Sequence, residues 1–257
     1  MNQIICDQKD KIYSVTLNRA DCSNAFNEQM VADLHVIFER ISQDKNARLL
    51  VISGAGDVFC AGADLNAMAS YADLTTEENF NSALQLALLL DKLNQLPVTT
   101  IAKVNGPAMG GGVGLLCCCD IVIAAHSAVF SLSELRLGLL PATILPYVIN
   151  AIGVRQARYM ALSGKVFNVE RALQLGLVHE SVVAYHLDAE VEQCIGKLLR
   201  TAPEASVKCK QLLLASQRLT EQDIEQSARL LADIRQTPEA QAGIMAFLNH
   251  TMPPWCH

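Results

Sequence analysis

The order of hydropathy patterns along the chain predicts an α/β fold extended by C-terminal helices on a shared core. Through about residue 140, short apolar runs of strand length alternate with helically spaced apolar stripes. Beyond about residue 143 the strand signals fade and helical stripes take over. No sequence repeat, low-complexity tract or flexible linker separates the two parts.

Tyr13, Val15 and Leu17 alternate with polar neighbours, the mark of a half-buried strand. Met30, Leu34, Ile37 and Ile41 predict an amphipathic helix over about 27–44. Leu49-Leu50-Val51-Ile52 is a continuous apolar run ending in Ser53-Gly54, as a strand buried on both faces requires. Thr75 and Glu78 have capping-box spacing and open a helix reaching to about Leu96, where Pro97 stops it. Val98 to Val104 is a further strand, Asn105-Gly106-Pro107 a turn, and Asp120 to Ile123 another strand after a glycine-rich helix start. The uncharged stretch Leu137–Val154 carries Pro141, Pro146, Asn150 and two glycines, and is expected to form buried turns and a short helix rather than a membrane span. Leu187, Val191, Ile195 and Leu198 form one helical stripe, and Ile224, Ala228, Leu231 and Ile234 another. Thr201 with Glu204 and Thr220 with Asp223 have the spacing of helix starts.

The 257 residues carry 20 Lys+Arg against 26 Asp+Glu, a net charge of −6. With 51% hydrophobic and 18% charged residues the chain is no disordered segment, and its charge has the wrong sign for phosphate neutralisation on a nucleic acid. Its nine cysteines contain no Cys-x-x-Cys pair, and Cys117, Cys118 and Cys119 are adjacent, which cannot build a zinc tetrahedron. They are expected to be small buried hydrophobes in a reducing compartment. The first residues show no basic segment followed by an apolar one, so the expected location is the cytoplasm, with no membrane partner. His35, His126, His179 and His186 share no spacing, and no metal site is expected.

Two glycine-bearing segments follow strands: Phe59-Cys60-Ala61-Gly62-Ala63-Asp64-Leu65, and Asn105 through Gly114 with its triple glycine at 110–112. Neither completes a dinucleotide or Walker pattern. A glycine-rich helix start exposes unpaired N–H groups at the positive end of the helix dipole. Two such donors from separate loops form an oxyanion hole, where one donor contributes about 3–4 kcal/mol in a transition state. The same glycines would also serve tight helix–strand packing.

Cys60-Ala61-Gly62-Ala63-Asp64, Asn105-Gly106 through Gly112, Cys119-Asp120, and Phe130 to Pro141 together resemble the enoyl-CoA hydratase/isomerase (crotonase) superfamily, in order and spacing, from about residue 12 to 180. The resemblance implies a crotonase-type spiral of strand–strand–helix turns over 1–195, holding the active site. It implies a helical oligomerisation region over 196–257 and assembly as a homotrimer or a dimer of trimers. It further implies that the N–H groups of Ala63 and Gly111 hold the thioester carbonyl of an acyl-CoA while an enolate forms. Ala61, Gly62, Asp64, Leu65, Asn66 and Gly110, with Cys22 and Ser23 nearby, would border the substrate and its CoA. Asp64 and Asp120 are expected to be structural anchors. No cofactor is implied, since coenzyme A enters with the substrate.

Hydratases of this family usually use two glutamates. One of the two positions is Gly114 here, and the other is Glu134. A lone carboxylate in an apolar cleft, with a raised pKa, can still take a proton from water and return it to the α-carbon. The string from Gly110 to Asp120 and from Ser131 to Ile144 resembles bacterial 3-methylglutaconyl-CoA hydratases of leucine breakdown and a related group acting on isohexenylglutaconyl-CoA. Gly114 would then make room for a β-methyl and remove a like charge, and Arg136 or Thr143 would meet the distal carboxylate. An ion pair away from the substrate is the competing role for Arg136. Alternative readings are an enoyl-CoA isomerase, a straight-chain enoyl-CoA hydratase, and a non-catalytic acyl-CoA-binding protein.

Overall fold

The computed structural model describes residues 2–71, 73–215 and 220–252, and for Leu65 and Asn66 the backbone alone. Its first half runs β1 (Ile4–Lys9), β2 (Ile12–Leu17), α1 (Glu28–Gln43), β3 (Leu49–Gly54), α2 (Leu65–Ser70), α3 (Thr76–Asn94), β4 (Thr99–Val104), β5 (Ala108–Met109), α4 (Gly111–Cys117), β6 (Ile121–Ala125) and β7 (Val129–Ser131). A 3₁₀ turn at Glu134–Leu137 leads to α5 (Leu145–Ser163), β8 (Phe167–Asn168), α6 (Val169–Leu175) and β9 (Glu180–Val182). The helices α7 (Leu187–Leu198), α8 (Pro203–Ala215), α9 (Glu221–Arg235) and α10 (Pro238–Leu248) complete the order.

The larger sheet has the order β1-β2-β3-β4-β6-β9, parallel throughout except for the β1–β2 hairpin. A small sheet, β5-β7-β8, stands beside it. The unbroken apolar run of β3 is explained by layers on both faces. Leu50 and Ile52 enter the main core with Met30, Leu34 and Phe38 of α1. Leu49 and Val51 face the other way and pack with Leu187, Val191 and Ile195 of α7. β4 and β6 divide in the same way, with Ile101 and Ile123 on the α7 side and Ala102, Val104, Val122 and Ala124 in the main core.

The helix starts follow local chemistry. Asn27 caps α1 through Met30 N, and Thr75 with Glu78 and Thr220 with Asp223 form complete capping boxes on α3 and α9. Thr201 starts nothing. Its hydroxyl donates to Leu198 O at 2.7 Å, and α8 begins at Pro203, whose fixed φ suits a first turn. The stretch expected to form turns and a short helix does so: turns lead to the first part of α5, which breaks at Gly153 (φ 73°, ψ 152°) and then continues to Ser163. Pro146 is tolerated because it lies in the first turn, where no N–H is needed. Strands also persist past residue 143: β8 and β9 are two and three residues long, too short to leave a periodic signal.

The C-terminal helices are not a separate body. Ile224, Ala228, Leu231 and Ala232 of α9 pack against Phe80, Ala83 and Ala87 of α3. The cysteines are less uniformly buried than expected: Cys60, Cys118 and Cys119 are buried, Cys6, Cys22, Cys117 and Cys194 are half-buried, and Cys209 is exposed. Cys256 lies outside the described residues. Among the described residues, no helix is long and apolar enough to cross a membrane.

Candidate active site

The two glycine segments leave the ends of neighbouring parallel strands, β3 and β4, so the sheet delivers them side by side. Hydrogen bonds then lock one to the other. Phe59 N and Cys60 N both donate to Pro107 O, and Met109 N donates to Cys60 O at 2.9 Å. Asn105 accepts from Gly54 N and donates to Gly56 O, while Asn24 donates to Ala55 O and Val58 O. At their tips the backbones touch. The Cβ position of Gly62 falls 3.4 Å from Gly111 N, and that of Gly111 falls 3.8 Å from Gly62 Cα.

The flanking amides are committed: Phe26 N donates to Gly62 O, Asp64 N to Phe26 O, and Gly110 N to Ser131 O. The Ala63 amide, by contrast, donates to no acceptor among the described residues, and Gly111 is the first residue of α4, where an N–H has no partner within the helix. Two free donors therefore sit on adjoining loops, one of them at a helix N-terminus.

Glu134 opens the 3₁₀ turn that follows β7. Its Oε1 lies 2.9 Å from the Cβ position of Gly110, which holds φ 48° and ψ −116°, so any side chain at 110 would be strained and would strike the carboxylate. Glu134 Oε2 is out of water and has no hydrogen-bond partner among the described residues. Burial pushes the Glu134 carboxyl up to about 7, partly opposed by a hydrogen bond from its own backbone N–H. The turn is seated by α10, since a Cβ at Gly138 would lie 2.8 Å from Ala240 Cα.

These groups line one cleft of about 1880 Å³. Cys22, Ser23, Ala61, Gly62, Ala63, Asp64, Gly110, Gly111, Glu134, Arg136 and Thr143 all face it. Asp64 is buried and pairs with Arg19 at 2.7 Å, an anchoring arrangement. Asp120 lies away from the cleft, accepts from Thr100 N and Oγ1, and pairs with Lys210 at 2.8 Å. Arg136 is exposed, its Nε 3.0 Å from the Cβ position of Gly164, whereas Thr143 is buried. The side chains of Leu65 and Asn66 lie outside the described residues.

Gly114 is placed differently from the expectation. It does not line the cleft, because Ile144 stands against it: a Cβ at 114 would lie 2.2 Å from Ile144 Cγ2 and 2.7 Å from Ile144 Cβ. The space that a smaller residue was expected to leave for substrate is filled by protein.

The enoyl-CoA hydratase/isomerase family model matches residues 7–257. The chain belongs to this family. It is an acyl-CoA enzyme of the enoyl-CoA hydratase type, a mixed α/β crotonase fold with a C-terminal helical region. It is 33% identical over 258 residues to 2,3-dehydroadipyl-CoA hydratase of Escherichia coli, covering 98% of each chain. An enoyl-CoA hydratase from Shewanella pealeana superposes with a TM-score of 0.81 at 35% identity, over 99% of this chain and 96% of that one. Pseudomonas aeruginosa AtuE gives 0.82 at 35% identity over the full length of both.

Two residues of the enoyl-CoA hydratase cleft take roles that sequence reasoning missed. Ile144 gave no signal of its contact with Gly114, being one apolar residue among many. Arg235 did give one: it continues the buried stripe Ile224, Ala228, Leu231 at helical spacing, a charge on the apolar face of α9.

Proposed function

We propose that the protein adds water across the C2–C3 double bond of a branched 2-enoyl-CoA, converting 3-methylglutaconyl-CoA to 3-hydroxy-3-methylglutaryl-CoA. The thioester oxygen accepts from the Ala63 and Gly111 amides, which stabilise the enolate oxygen as charge develops there. Glu134 takes a proton from water as the water oxygen bonds to C3. The same carboxyl then hands its proton to C2, the enolate collapses, and the glutamate is restored. The thioester acidifies C2, so the scheme calls for no cofactor beyond the coenzyme A group of the substrate.

The observation carrying this reading is the unpartnered, desolvated Oε2 of Glu134 beside the N-terminus of α4. A carboxyl held near pH 7 is matched to both halves of a proton shuttle. The dicarboxylic substrate class draws support from the Escherichia coli relative, whose name describes an acyl chain ending in a carboxylate. Exposed Leu212 and Leu213 on α8, and Met245 and Phe247 on α10, leave apolar surface suited to the proposed trimer or dimer of trimers.

Hydration in ¹⁸O-labelled water tests the scheme. The wild type is expected to place label on C3, and Glu134→Gln to lose about 10²–10⁴ of the rate. An isomerase, which a single carboxylate would also serve, moves the double bond with no label taken up. Equal rates with and without Glu134 would remove Glu134 from the chemistry, and acyl-CoA binding with no turnover in the wild type would return the chain to a binding role.

A further inference from the structure

Arg235, the last residue of α9, is 5% exposed, and its Nε and Nη1 have no hydrogen-bond partner among the described residues. No carboxylate among the described residues pairs with it. Its guanidinium stacks 4.0 Å from the centroid of the Tyr71 ring, itself buried. Around that pair stand Met68, Leu139, Ala240 and Ile244, an apolar cluster. Both Arg235 and Tyr71 line the same cleft as Glu134.

A guanidinium cannot shed its charge in a protein, so burial must be offset by a partner. The Tyr71 ring attracts the cation through one face and satisfies none of its N–H donors. The complementary ligand is a planar anion with two acceptor oxygens, which a guanidinium binds through its fork of donors. Arg136 is the poorer candidate for this role, because as an exposed residue it carries no comparable cost of burial.

We propose that Arg235, stacked on Tyr71, binds the distal carboxylate of a dicarboxylic enoyl-CoA and so selects such acyl chains over uncharged ones. The proposal rests on the hydratase reading of the cleft. It adds to that reading the residue that determines the acyl tail.

Steady-state kinetics on 3-methylglutaconyl-CoA and crotonyl-CoA, with wild type, Arg235→Met and Arg235→Lys, tests it. Arg235→Met is expected to lose about 30-fold or more in kcat/KM on the dicarboxylic substrate, mainly through KM, and to keep its rate on crotonyl-CoA within about threefold. Arg235→Lys should recover part of the loss. Binding to the wild type alone gives a measurement independent of variant folding: the unreactive glutaryl-CoA should bind at least about tenfold more tightly than butyryl-CoA. A wild type that prefers the dicarboxylic ligands while Arg235→Met keeps that preference overturns the assignment of Arg235 and leaves the hydratase reading standing. Equal losses on both substrates mark Arg235 as structural and overturn the assignment as well. Absence of any dicarboxylic preference in the wild type, with an altered oligomeric state in Arg235→Met, gives the arginine to a subunit contact and overturns it too. Failure of the wild type to hydrate any enoyl-CoA overturns the hydratase reading itself.

Discussion

Gly114→Ala sets two physical effects of opposite sign against each other. Gly114 lies inside α4 with an ordinary helical φ, and helix propensity alone would make alanine more stable by about 1 kcal/mol. The new methyl carbon, however, would sit 2.2 Å from Ile144 Cγ2 and 2.7 Å from Ile144 Cβ. A Cβ is not the far end of a flexible chain, so Ile144 cannot rotate out of the way without moving its backbone, and Ile144 is itself 2% exposed. Overpacking of this kind costs about 1–3 kcal/mol or more, which exceeds the propensity gain over most of its range. Without the propensity gain, that cost corresponds to a fall in Tm of about 2–12 °C for a chain of this size. Calorimetry of wild type, Gly114→Ala, Ile144→Ala and the double variant measures it. Ile144→Ala alone is expected to cost about 2–5 kcal/mol through its cavity, and the double variant less than the sum of the two, because the alanine methyl refills part of that cavity. A Gly114→Ala protein more stable than wild type, or strict additivity in the cycle, would refute the packing argument. The same geometry predicts that Gly114→Glu alone does not install a working second carboxylate.

Three further outcomes are expected. Burial raises the Glu134 carboxyl from about 4.5 to about 7, so the fold favours the protonated form; the stability this contributes is fully present below the unfolded pKa and is lost as pH rises through about 7. Urea titrations between pH 4 and pH 8 should therefore show a loss on the order of 3 kcal/mol in wild type that Glu134→Gln lacks. Because the base must be ionised, kcat/KM should fall tenfold per pH unit on the acid side of about 7, and a flat profile there would count against Glu134 as the base. Asp120→Ala strips acceptors from Thr100 and Lys210, and should cost about 1–3 kcal/mol in denaturant unfolding with little change in kcat/KM; a large kinetic effect would place Asp120 in the chemistry rather than in the scaffold.

Local patterns carried the longer elements and much of the cleft, though not the short strands β8 and β9. Periodicity marked α1, α7 and α9, and an unbroken apolar run marked β3, because burial of one face or of both leaves its pattern in consecutive residues. Capping boxes at Thr75 and Thr220 were legible because a cap is local hydrogen bonding within four residues. The two glycine segments could be read as ligand loops because each follows a strand of a parallel sheet, where neighbouring loops emerge at the same edge. Three decisions belonged to the tertiary structure alone. Ile144 closes the position facing Gly114, Glu134 Oε2 is taken out of water, and Arg235 is buried with no carboxylate beside it among the described residues. Each is a balance of desolvation and partnering set by atoms from segments far apart in the chain. No local pattern encodes such a sum, which exists only once the core has packed.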